Sequence, residues 1–319
     1  MPRRIFFRIL LAFLALTITF FITGYFFARP IALFFGRAAL ENLFKNAETS
    51  IKGCDFKPGT LLFYSIEIKK GKSLDIKIEE AAIAYNLKAL VRKKISRVSL
   101  KNVSMDIKPL KAFSAERIDA LNLKPGSGKL YIPKIDYDNF RIGEIKSDMK
   151  FGDNVISMNP VDITFLGGRI TGNLNISVLS PDIVKYDFNL KALNLDIRSF
   201  VEDFKLIDKF EMTGKLGGAM SLAGMGASIN EVNGTFLTDS PGGVLVIKDT
   251  RFLENVSKNS GQPLDIIVES FRNYNYNSGI ARLFVEAGSL VMDVKLDGKT
   301  GKRNLALVLH DFSARKEKP

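Results

Sequence analysis

Tryptophan is absent from this chain, histidine occurs once, at His310, and cysteine once, at Cys54. The near-absence of histidine removes the side chain most often used as general base and metal ligand. With no second His and no second Cys, metal sites of the usual nitrogen and sulfur type lack ligands. A single Cys forms no internal disulfide, so an oxidising compartment is neither required nor excluded. Acidic residues are also in the minority. Thirty-four Asp+Glu stand against 46 Lys+Arg, a formal charge of +12 that points to nucleic acid or to an anionic membrane surface.

What the chain does have is one long apolar run. Ile9 to Phe27, ILLAFLALTITFFITGYFF, holds no charged residue. As a helix its nineteen residues would span roughly 28 Å, close to the ~30 Å hydrocarbon core of a bilayer. A cleaved signal peptide would have a shorter apolar region and small residues at its end, whereas this run ends in Tyr25, Phe26 and Phe27. The segment Ile51-Lys52-Gly53-Cys54 holds a Lys and lies too far along to be a lipidation box. The expectation is an uncleaved anchor built on Ile9, Leu10, Leu11, Phe13, Leu14, Leu16, Ile18, Phe20, Phe21, Ile22, Phe26 and Phe27. Arg3, Arg4 and Arg8 crowd the short leading flank, while Arg29, Arg37 and Lys45 beyond it are mixed with Glu41 and Glu48. By the positive-inside rule the amino terminus is then cytoplasmic and the bulk of the chain lies across the membrane. That placement favours lipid over nucleic acid as the basic chain's partner.

Pro30 to Ala47 predicts a helix, with Ile31, Phe34, Phe35, Ala38, Leu40 and Leu43 at helical spacing. Two destinations stay open for it, the membrane surface and the first strands. From Leu61 the period becomes two. Leu74, Ile76 and Ile78 alternate with charged residues, and the alternation resumes off by one at Ile83, which predicts a bulge near Glu80 and Ala81. Leu87 to Arg92 predicts one helical turn. Ile95 to Ile107 returns to strand, and the weaker region from Lys108 ends at Pro125-Gly126-Ser127-Gly128, where an internal boundary is expected. Further on, Ile170, Leu174 and Ile176 share one face, opposite Arg169, Thr171, Asn173 and Asn175. EMTGKLGGAMSLAGMG suggests short strands between glycines. Helical pieces are expected at Phe200 to Ile207, around Phe252 to Val256, and from Leu264 to Phe271. Leu290, Met292, Val294 and Leu296, then Leu305, Leu307 and Leu309, alternate most cleanly, with a turn at residues 297–301. Such alternation belongs to antiparallel sheets with one apolar face.

The anchor, IKIEEAAIAYNLKALVRKKISRVSLKNVSMDI, FEMTGKLGGAMSLAGMG and the stretch from Gly242 to Lys299 together resemble AsmA-like cell-envelope proteins, most closely the YdbH branch. The last stretch is the most specific, with a strand, a helix followed by Tyr274 and Tyr276, and a strand pair around Gly288 and Gly298. Family members are typically much longer. The resemblance implies a mainly β protein, in which an N-terminal transmembrane helix precedes an elongated, twisted antiparallel sheet forming an apolar trough, with a few short helices. It implies phospholipid or other acyl lipid carried between the inner and outer membranes, with no cofactor and no catalytic residue. Expected parts are a stub and anchor (1–29), a helix with the first part of the trough (30–124), and the rest of the trough (125–319). The groove lining is expected at Leu74, Ile76, Ile78, Ile170, Leu174, Ile176, Leu290, Met292, Val294, Leu296, Leu305, Leu307 and Leu309. A trough this short calls for a partner, in the periplasm or the outer membrane, or a shuttle-like role. The alternative is an envelope assembly factor whose apolar face is a dry core.

Other motifs weigh little. Ser147-x-x-Lys150, Ser228-x-Asn230 and Lys299-Thr300-Gly301 occur in the order used by penicillin-binding enzymes. However, Ser147 lies in alternating sequence where the nucleophile should start a helix, and Lys299 falls in a turn. Gly126-Ser127-Gly128-Lys129 lacks the Ser/Thr and the first Gly of a phosphate loop. The basic run Lys88, Arg92, Lys93, Lys94, Arg97 and Lys101 has no interleaved aromatics for stacking bases. It reads first as a solvated face and second as a contact for anionic head groups.

Overall fold

The computed structural model describes residues 27–309 apart from 45, 72–73, 108–111, 138–139, 153, 181–182, 204, 227, 250–253, 255–262 and 287. A helix, α1 (27–43), leads into strands β1 (Glu48–Lys57), β2 (Thr60–Lys70) and β3 (Leu74–Ala84). After the short α2 (Leu87–Val91) come β4 (Ile95–Ile107), β5 (Phe113–Lys124), β6 (Ser127–Ile132) and β7 (Ile135–Tyr137). Next are β8 (Phe140–Gly152), β9 (Val155–Phe165), β10 (Gly168–Ser180) and β11 (Ile183–Asp196). Then follow α3 (Ile197–Asp203), β12 (Phe210–Met212), β13 (Lys215–Met225), β14 (Ser228–Thr238) and β15 (Gly243–Ile247). The last elements are α4 (Leu264–Phe271), β16 (Tyr274–Tyr276), β17 (Ser278–Glu286), β18 (Ser289–Gly298) and β19 (Gly301–Leu309).

Sixteen strands form one antiparallel sheet, in which each strand of the main path pairs with the strand before it in that path. β7 alone lies off the path, while β12, β15 and β16 make a separate small sheet. Fifteen strands in succession, at ~4.8 Å each, give a ribbon about 67 Å long. Most connections along the main path are tight turns, and at these the register follows from the turn. Pro125 and Gly126, where the sequence suggests a boundary, are the turn between β5 and β6, and the sheet runs through it unbroken.

The sequence shows a face switch in β3, and the structure shows why. The skip falls at Glu79, one residue before the expected bulge, and crosses five strands. Lys52, Ser65, Glu79, Asn102 and Glu116 are passed over in the ladders, and the pairing resumes in the same register on either side. Ser65 (φ 51°) and Asn102 (φ 47°) take left-handed backbone, which Asn tolerates better than most residues. The Asn102 side-chain amide donates to Glu79 at 2.5 Å. Phe63 and Ile66, though three residues apart, are therefore both buried in one cluster, as are Ile76 and Ala81. Because all five strands skip together, one face stays apolar without any slip in register.

Three segments differ from their sequence reading. β1 starts before the expected strand region, since ETSIKGCDFK alternates poorly. β5 fills the weak region after Lys108. The glycine-punctuated block is two full strands, β13 and β14, because its glycines lie within cross-strand pairs that hold their backbone. The helix expected around Phe252 lies almost wholly outside the described residues.

On the polar face, Asp119 on β5 is fully buried between Arg97 and Arg117. Arg97 makes a bidentate pair with it, at 3.0 and 2.6 Å. Replacing Asp119 by Ala leaves two guanidinium groups, each about 40% exposed, over a lost carboxylate. The expected cost is about 3 kcal/mol, the low end for breaking a buried pair because water still reaches both arginines. A urea titration checks it, and an unchanged midpoint would show that the triad contributes nothing.

Candidate functional site: an apolar face closed at both ends

Residues directly paired across antiparallel strands share a face. One uninterrupted row runs through Phe56, Leu61, Ile83, Val98, Ala120, Leu130, Ser147, Val161, Gly172, Leu190, Met220, Gly234, Leu283 and Met292. It crosses fourteen strands without a charge, and Met292 pairs onward with Leu307 of β19. The neighbouring row on the opposite face includes Asp119, Tyr131, Lys146, Asp162, Thr171, Lys191, Thr235, Arg282 and Asp293. There Arg169 clamps Asp162 and holds its carboxyl below the usual range, and Lys146 does the same to Glu144. From β5 to β18 one face is thus rich in charged residues and the other is apolar.

The apolar face is covered at its two ends. At the amino-terminal end α1 lies antiparallel to β1, with Arg29 paired to Asp55 at 2.8 Å and Arg37 donating to the Ile51 carbonyl at 3.0 Å. Ala32, Leu33, Leu40 and Phe44 pack on a cluster of Ile51, Cys54, Phe63, Ile66, Ile68, Ile76 and Ala81. Gly36 permits this approach, since a Cβ there would meet the Phe63 ring at 3.0 Å and Ile51 at 3.1 Å. Burial raises the pKa of Cys54, whose thiol donates to the Arg29 carbonyl. At the carboxyl-terminal end α4 and the small sheet cover β18 and β19. Leu245, Phe271, Tyr274, Tyr276 and Leu296 form a second cluster with Val294 and Leu305 against it. The Tyr274 hydroxyl donates to the Gly301 carbonyl at 2.6 Å, and Arg303 stacks over the Tyr274 ring, 5.0 Å from its centroid. The Tyr276 hydroxyl donates to the Thr213 carbonyl.

Between the ends, from β6 to β14, the main packing partners of the described strands are their own sheet neighbours. Ile156, Met158, Ile170, Leu174, Ile176, Phe188, Leu190, Met220 and Leu222 are half-buried there, while Ile132, Ser147, Val161 and Val232 are buried. Seven strands at ~4.8 Å make this stretch about 30 Å long, roughly twice the ~15 Å depth of one bilayer leaflet's hydrocarbon.

The expected lining residues thus fall into three groups. Ile170, Leu174 and Ile176 lie in the middle stretch. Leu74, Ile76 and Ile78 belong to the cluster under α1, and Val294, Leu296 and Leu305 to the cluster under α4, so these six line closed ends rather than an open groove. Leu290 and Met292 are half-buried between the middle and the carboxyl-terminal cluster. Leu307 and Leu309 pair in register with Met292 and Leu290. Sequence reasoning missed Ala120, Leu130, Val161, Leu190 and Met220. The even positions of KLGGAMSLAGM carried the signal for β13, but glycines among them hid the alternation. Of the expected anchor, Phe27 lies in α1 and the rest lies outside the described residues. Among those described, no helix is long and apolar enough to cross a membrane.

The enzyme-like motifs are not assembled. Ser147 lies in β8 and Ser228 begins β14, with four strands between them in the sheet, while Lys299 is in the β18–β19 turn. Among the described residues no His/Cys/Asp/Glu group has metal-site geometry.

Burial pushes the Tyr276 phenol up to about 12. In an unfolded chain it would ionise near 10. Its contribution is therefore fully present below pH ~10 and lost as pH rises toward 12. Alkaline titration followed by near-ultraviolet circular dichroism should show the carboxyl-terminal cap loosening in that window. Tyr276→Phe should remove this part of the pH dependence; an identical profile would assign the loosening elsewhere.

No family model, no curated protein and no solved structure matches this chain.

Proposed function

We propose that the chain is an inner-membrane-anchored, periplasmic lipid carrier that resembles the AsmA/YdbH-like proteins and shields acyl chains along the open middle of its apolar face. The observation that carries this reading is the uncharged row, continuous across the ribbon, with packed clusters at its ends and many half-buried apolar side chains along its middle. An apolar face of that length needs a partner that removes it from water, at ~25 cal/mol per Å² buried. Mobile acyl chains suit a face without fixed counter-packing. The apolar run Ile9 to Phe27 supports a single-pass anchor with a cytoplasmic amino terminus, and the arginines before it support that orientation. On this reading a second protein, periplasmic or in the outer membrane, receives the lipid.

The test is the native mass of the full chain after mild detergent extraction, with lipid analysis of the same sample. Bound phospholipid at about one or more per chain is the expected result. A chain that carries none after gentle extraction would favour the second reading, an assembly scaffold with a dry core. The packed clusters at both ends give that reading its only specific support.

A further inference from the structure

We infer that one corner of the sheet is a docking site for an anionic lipid surface, formed by the start of α1 together with the basic turn after α2. The inference rests on the membrane reading of residues 9–27 and adds a second, separate contact to it.

Three distant segments meet at that corner. The described part of α1 starts at Phe27, the last residue of the uncharged run Ile9 to Phe27, and Arg29 pairs with Asp55 near the end of β1. Two residues after Asp55 the chain enters the β1–β2 turn, where the Gly59 carbonyl accepts the Tyr85 backbone N–H at 2.8 Å. Tyr85 leads directly into α2. The ion pair and the hydrogen bond therefore fix the α2 turn beside the point where the apolar run enters the fold.

The chemistry of the corner fits a charged bilayer. Tyr85 to Ile95 carries Lys88, Arg92, Lys93 and Lys94 and no acid. All four are exposed, and none has an ion pair with another described residue. Among them Val91 is 86% exposed, an apolar tip in a ring of cations. On α1 the side turned away from the sheet shows Phe27, Ile31, Phe34 and Phe35 at 51–69% exposure, with the two phenyl rings edge to face at 5.7 Å. Exposed aromatics beside clustered Lys and Arg are the composition of interfacial segments. A nucleic acid does not suit the corner, since no aromatic is interleaved with the four cations of the turn. The structure answers the question left open for this helix: one side of α1 packs on the strands, and the other remains available to lipid.

Each cation held near an anionic surface strengthens binding by about fivefold. The corner should dock onto anionic leaflets and lift off neutral ones. The test uses the full chain reconstituted in phosphatidylcholine vesicles with or without phosphatidylglycerol. An environment-sensitive dye is placed on Val91→Cys, the native Cys54 being buried. A control dye is placed on Thr300→Cys, in the β18–β19 turn at the opposite edge of the sheet. The Val91 dye should shift to the blue and be quenched by spin-labelled lipid only in the anionic vesicles. High salt, or neutralising Lys88, Arg92, Lys93 and Lys94 to Gln together, should cut the quenching at least fivefold. The Thr300 dye should not respond. A Val91 dye that stays in water in anionic vesicles, or that responds equally in the neutralised variant, overturns the docking site. Flotation with neutral vesicles separates the two readings. A chain that floats with neutral vesicles and whose Val91 dye stays in water in the anionic ones keeps the anchor and loses the docking site. A chain that fails to float in neutral vesicles but docks on anionic ones keeps the docking site and loses the anchor.

Discussion

Leu174→Asp and Met220→Asp, singly or together, should leave the protein folded and strip it of bound lipid. Both side chains lie in the half-buried middle of the apolar face, on β10 and β13, with β11 between them. In an empty groove water reaches a new carboxylate, and the expected destabilisation is about 1 kcal/mol per site. With acyl chains in place the same carboxylate is desolvated without a partner, which costs several kcal/mol against binding. Co-purified lipid should therefore fall at least tenfold, while the far-ultraviolet circular dichroism and the urea midpoint change little. Lys191→Gln, on the charged face between the same strands, should alter neither. If Met220→Asp unfolds the sheet, its middle is a packed core and the lipid reading fails.

Leu296→Asp should do the opposite. Leu296 is 2% exposed, packed among Leu245, Phe271 and Tyr274, and its carbonyl accepts a bond from the Tyr274 hydroxyl at 3.3 Å. The cation nearest a carboxylate there is Arg303, its partner across β18 and β19, whose guanidinium is held over the Phe271 and Tyr274 rings, so pairing with it would break that stack. The expected loss is more than about 4 kcal/mol, enough to melt α4 and the small sheet off β18. Leu296→Ala should cost about 3 kcal/mol through the cavity alone. Limited proteolysis reads the difference, with new cuts expected between β15 and β17 in the Asp variant and few in the Ala variant. An Asp variant as protease-resistant as wild type would mean that the cap is not packed as described. Val294 contacts the same cluster, so a charge at Val294 reports on packing and not on lipid. This separates two positions that alternation in the sequence treats as equivalent.

The class of the fold and the polarity of its faces were legible in the order of residues alone. Period-two alternation in β3, β10, β18 and β19 is a local property, and tight turns turn it into antiparallel pairing with few other choices. The off-by-one between Ile78 and Ile83 was also legible, because a face switch leaves its mark in the order of residues. The helical turn at Leu87 and the turn at Lys299 were readable for the same reason. What the sequence did not contain is which parts of one apolar face are covered. Ile76, Leu174 and Leu296 have the same local pattern, yet one lies under α1, one in the open middle and one under α4. That difference depends on where helices distant in sequence come to rest, through contacts such as Arg29 with Asp55 and Gly36 against Phe63. The same holds for the basic turn after α2. Its four cations are plain in the sequence, but only the tertiary structure sets them beside the start of α1, because the β1–β2 turn bonds to Tyr85 across some twenty-five residues of intervening strand.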